Sequence, residues 1–108
     1  MTFYTYRQNN SGGSFIINDT LTVNVIIEAP SPRMADAKME DLGADFSRGY
    51  DCSCCGNRWD TARGEGDDTP LIYGSPPEEY LTQPYTTLWA PPGRNVVIYY
   101  LNGETKWL

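Results

Sequence analysis

Residues Thr22 to Ala29 place Val23, Val25 and Ile27 on one side of an extended chain and Ile26 on the other, and Pro30-Ser31-Pro32 stops the run abruptly. That alternation suits a β-strand with one face fully and one partly buried. Ser31 can cap a helix that begins at Pro32, because the fixed φ of proline fits the first helical turn and its missing N–H has no partner to lose there. The helix is predicted from Pro32 to about Leu42, closed by Gly43 in a left-handed conformation. Ala35, Met39, Leu42 and Phe46 fall at helical spacing on one side and are expected to face a sheet, with Asp36, Lys38, Glu40 and Asp41 toward water. A strand that runs straight into an amphipathic helix commits the chain to a sheet with a helix on one face.

Further strands are read on either side of this unit. Phe3 to Gln8 alternates aromatic and polar residues, Ser14 to Ile17 is short and β-rich, and Asn9-Asn10-Ser11-Gly12-Gly13 between them supplies turn residues, so a hairpin is expected. The glycines form no G-x-x-x-x-G-K-[ST] pattern, which leaves a turn rather than a phosphate cradle. Val96 to Leu101 reads as a strand, and Asn102-Gly103 before Glu104 to Trp107 reads as a type I′ hairpin. The fold expected is α+β: an antiparallel sheet of four to five strands, one helix packed on a face, and a long irregular loop over an edge.

That loop spans Asp60 to Pro92, where glycines and six prolines between Pro70 and Pro92 leave only short extended pieces such as Leu71 to Tyr73. Loops of such length in small domains commonly serve binding. The chain has 108 residues, enough for a single domain over 1–108, and a net charge of −6 concentrated here. Glu65, Asp67, Asp68, Glu78 and Glu79 are opposed only by Arg63 between Thr61 and Gly93. Direct binding to nucleic acid phosphates is therefore not expected, whereas a basic protein surface would match. No apolar run approaches a membrane span and the polar start lacks the order of a signal peptide, so a cytoplasmic protein without a membrane role is expected. Residues expected to meet a protein partner are Arg58, Trp59, Asp67, Asp68, Tyr73, Glu78, Glu79, Tyr80, Tyr85 and Trp89, the aromatics as anchors. Covering the sheet is the competing use of the same rings.

All three cysteines lie in Asp51-Cys52-Ser53-Cys54-Cys55-Gly56-Asn57-Arg58-Trp59. Cys52 and Cys55 make a C-x-x-C turn, half of a tetrahedral zinc site, to which Cys54 can add a third thiolate. With no histidine in the chain, a fourth ligand falls to Asp51, Asp60, a water or a cysteine of a second chain, which would make a homodimer. Such a zinc ion would be structural. The alternatives are ordinary packing of three small thiols under Trp59, and redox or nucleophilic thiol chemistry. The last is disfavoured because no helix follows the turn and no histidine base exists. The chain is accordingly not expected to be an enzyme.

The stretches Phe3-Tyr4-Thr5-Tyr6-Arg7-Gln8-Asn9-Asn10-Ser11-Gly12-Gly13-Ser14-Phe15, Val23 to Ala29 and Asp51 to Trp59 together resemble a family of small proteins encoded by tailed bacteriophages. The resemblance covers most of the chain and is looser over Asp60 to Pro92. It implies an origin and carries over no functional residue. By association with that origin, the expected role is an accessory protein of the host cytoplasm that binds a host protein, such as a defence factor, and inhibits or redirects it. A structural or virion-associated oligomer built on a cysteine-turn zinc site is the alternative.

Overall fold

The computed structural model describes residues 2–8, 16–44, 59, 62, 66–83 and 90–108. Strands β1 (Thr2–Arg7), β2 (Asn24–Ala29), β3 (Val96–Tyr99) and β4 (Thr105–Trp107) form one sheet in that order, accompanied by helices α1 (Pro32–Asp41) and α2 (Pro77–Tyr80). The fold is α+β, as expected, but the sheet is mixed. β1 pairs antiparallel with β2 and β3 antiparallel with β4, whereas the central strands β2 and β3 are parallel. The chain between β2 and β3 passes through α1 and the 66–83 segment, a crossover long enough to bring it back to the end of the sheet from which β2 started.

The first hairpin also differs from expectation. Ile16 and Ile17 are outside any strand, and β1 is paired with β2 over six positions from Thr2↔Ala29 to Arg7↔Asn24. This longer ladder sets Tyr4 and Tyr6 beside Val25 and Ile27, where they are buried. Gln8 ties the returning connection to β1 through its side chain: Nε2 donates to the carbonyls of Ile16 (2.9 Å) and Thr22 (3.1 Å), and Oε1 accepts from the Ile16 N–H (2.6 Å).

Both faces of the sheet are covered. On one, Ala35 and Met39 of α1 pack with Tyr4, Tyr6, Val25, Ile27, Val97 and Trp59. On the other, Ile72 and Tyr80 from the 66–83 segment lie over Phe3, Ile26, Val96 and Ile98. β2 is therefore buried on both sides, the usual situation of a parallel strand, rather than fully on one and partly on the other. The start of α1 follows expectation: Ser31 Oγ accepts from the Met34 N–H (3.2 Å) and Pro32 opens the helix. Gly43 closes it at φ +111. Phe46, expected on the buried face, lies outside the described residues.

The β3–β4 connection corrects the expected turn type. Gly103 takes φ +94 while Asn102 does not take the positive φ that a type I′ turn needs. The Gly103 N–H bonds to the Tyr100 carbonyl (3.0 Å) and the Tyr100 N–H to the Glu104 carbonyl (2.9 Å). Leu101-Asn102-Gly103 thus form a three-residue loop in which the glycine alone supplies the left-handed step.

Candidate functional site

The 66–83 segment is fastened to β1 and then turns back on itself. Phe3 and Asp67 exchange two backbone hydrogen bonds (2.8 and 2.9 Å), and Thr5 Oγ1 donates to the Leu71 carbonyl (2.6 Å). Ile72 and Ser75 then exchange two more (2.8 and 3.1 Å) across Tyr73 at φ 51 and Gly74 at φ 80. Two central residues at positive φ, enclosed by a narrow pair of bonds, make a type I′ hairpin turn.

Such a turn favours asparagine, aspartate or glycine at its first central position. Tyrosine there brings its Cβ against the following carbonyl, at a cost of about 1–2 kcal/mol. Tyr73 is the one non-glycine residue at positive φ among the described residues, and 78% of it is exposed. A large ring has been placed at the apex of a hairpin against its backbone preference and left to solvent. Strained positions of this kind cluster where a side chain is presented to a ligand or partner.

The ring is held from one side. The exposed Arg7 of β1 sets its guanidinium 5.4 Å from the Tyr73 centroid and donates from Nη1 to the Tyr80 hydroxyl (2.7 Å). Tyr80, buried in the single turn of α2, lies 6.2 Å from Tyr73 at 52°. Arg7 therefore links the exposed ring to the buried one. Its role was not legible beforehand, since nothing local to Arg7 points to residues over sixty positions away.

The other expected partner residues divide. Asp67, Asp68, Glu78 and Glu79 are exposed on the same segment. Glu78 meets Lys106 at 3.5 Å, and at that exposure the pair contributes little to stability. Trp59 is 3% exposed and packs in the α1-side core with Tyr6 and Met39, apart from Tyr73. Arg58, Tyr85 and Trp89 lie outside the described residues, as do Asp51, Cys52, Cys54 and Cys55. Among the described residues no three Cys, His, Asp or Glu side chains gather as metal ligands, and no helix is long and apolar enough to cross a membrane.

Asp36, expected on the water-facing side of α1, is half-buried. Its Oδ1 accepts from the Tyr6 hydroxyl (2.6 Å) and from the Ala62 N–H (2.8 Å), joining helix, edge strand and the chain after Trp59. Burial raises the Tyr6 phenol pKa well above its ordinary value of 10.0, and the hydrogen bond and negative charge of Asp36 add to the shift. Burial also raises that of Tyr99. Above about pH 10 the unfolded chain loses phenolic protons that the folded chain keeps, so this contribution is complete below pH 10 and declines as pH rises further. Urea titrations at rising alkaline pH are expected to show that decline, shallower in Tyr6→Phe. An equally steep decline in the variant would remove Tyr6 as its source.

The chain belongs to the family described as Domain of unknown function (DUF7296), whose model matches residues 1–108. No curated protein and no solved structure matches it.

Proposed function

We propose that this chain is a binding module, a phage-encoded accessory protein of the host cytoplasm that docks on a host protein and inhibits or redirects it. The observation that carries the docking reading is Tyr73: an exposed aromatic ring at the apex of a tight hairpin, in an unfavourable backbone conformation, braced by Arg7 and Tyr80. A ring that is already oriented loses little conformational freedom on binding, and tyrosine is among the residues that dominate interface energetics. The acidic residues beside it, Asp67, Asp68, Glu78 and Glu79, favour a basic protein surface and disfavour nucleic acid. The host and the phage origin rest on the sequence resemblance. The reading assigns no catalytic residue.

Tyr73→Asn separates docking from folding. Asparagine suits the left-handed position, which offsets the loss of ring contacts at an exposed site, so stability is expected to stay within about 1 kcal/mol of the parent. Capture from host lysate should at the same time lose a stoichiometric partner that the parent retains. A partner captured equally by both proteins would reject Tyr73 as the anchor.

A further inference from the structure

We infer that a second feature of the same segment, a groove of about 370 Å³ between the prolines of residues 69–78 and strand β3, seats an apolar side chain of a basic, extended protein segment. This rests on the reading of residues 66–83 as a partner surface and names the chemistry of what binds there. The walls are Pro70, Pro76 and Pro77 on one side and Ile98 and Tyr100 on the other, with Thr69 and Glu78 also lining the opening. The three prolines carry no backbone N–H, so their wall offers ring carbons and carbonyl oxygens only. The Tyr100 ring is held by Phe3 edge to face, with centroids 6.0 Å apart and planes at 84°. The seat is thus apolar and firm, suited to an aliphatic side chain.

Charge decides what surrounds that side chain. Asp67 and Asp68 precede Thr69 directly, Glu78 lines the groove, Glu79 follows it, and all four are exposed. The one ion pair made among them with a described cation is Glu78 with Lys106 at 3.5 Å, between two half-exposed side chains. An acidic segment would meet like charges at this opening. One with lysine or arginine beside its apolar residue would bring opposite charges to it, and the methylene stems of those cations would extend over the proline rings. The groove between α1 and the β3–β4 turn, lined by Met34, Lys38, Tyr99 and Leu101, has a single acidic residue in its wall, Glu28, which accepts from the Leu101 N–H (3.0 Å) and stands with Lys38, so it serves as the internal control.

The test uses the full chain and three fluorescent peptides: alternating lysine and leucine, the same with every leucine replaced by serine, and alternating glutamate and leucine. The lysine-leucine peptide is expected to bind, with backbone amide NMR shifts at Thr69, Glu78, Ile98 and Tyr100. Asp68→Lys with Glu78→Lys, both at exposed positions, should weaken it by about tenfold at low salt. No binding, equal binding of the lysine-serine or glutamate-leucine peptide, or shifts centred on Met34 and Leu101 would each overturn the assignment. If the peptide fails while host-partner capture still depends on Tyr73, the groove falls and the docking reading stands. If capture is also independent of Tyr73, both fall.

Discussion

Ile26→Ala is expected to destabilise the protein by about 2–5 kcal/mol, the range for emptying a well-packed aliphatic site. Ile26 has no exposed surface and sits in the middle of a central strand, with Val96 and Ile98 beside it and Ile72 and Tyr80 over it. Its neighbours come from strands β1 and β3 and from the 66–83 segment, so no single side-chain adjustment can close the space that alanine leaves. In a chain of this size the melting temperature should fall by roughly 10 °C or more. The loss should also reach the candidate docking surface, because Ile72 begins the hairpin that carries Tyr73 and Tyr80 packs beside it. An unchanged melting temperature would mean that this face of β2 is not the core.

Gly66→Ala is the second large effect, and its mechanism is different. Gly66 takes φ +73, and a Cβ there would lie 2.8 Å from the Phe3 carbonyl oxygen and 2.9 Å from Tyr4 Cε1, with the Thr2 Cγ2 methyl also in contact. The carbonyl is backbone and is engaged with the Asp67 N–H, so it cannot move without breaking the bridge that fastens the segment to β1. Left-handed strain of about 1–2 kcal/mol adds to an overpacking cost of about 1–3 kcal/mol, for an expected loss of about 2–5 kcal/mol. Hydrogen exchange reads where it falls: the Phe3 and Asp67 amides should lose protection before those of β2 and β3. Retained protection at both amides would show that the close approach is tolerated.

What was legible in the sequence was local. The apolar run of β2, the serine and proline at the start of α1 and the glycine at its end each act within a few residues, and the strand, the helix start and its closing glycine stand in the structure, although β2 is buried on both faces. Strand pairing is not local. The parallel β2–β3 contact depends on how residues far apart in sequence return to the sheet, and the tight-turn signals at either end could not report it. Turn chemistry misled at one site and was silent at another. Asn102-Gly103 has the composition of a type I′ turn but sits in a three-residue loop, while the turn that is type I′ has a tyrosine in its first central position. The single turn of α2 carries proline followed by Glu78 and Glu79, a plausible helix start, yet it is too short for any periodicity to appear.

The candidate site was half legible for the same reason. Tyr73, Tyr80 and the acidic residues around them stood out by residue type in a loop of unusual length. Their division of labour did not, because exposure of Tyr73 and burial of Tyr80 follow from the hairpin and from Ile72 beneath it. Arg7, which joins the two rings, is contributed by the edge strand at the other end of the chain.

The most direct test of the docking account is photo-crosslinking in host cells, with the photoreactive residue p-benzoylphenylalanine replacing Tyr73 in one protein and the similarly solvent-facing Ile16, 48% exposed, in another. The account predicts one discrete adduct with a host protein from position 73 and none from position 16. An adduct of two copies of the chain, the same adducts from both positions, or none from position 73 would contradict it.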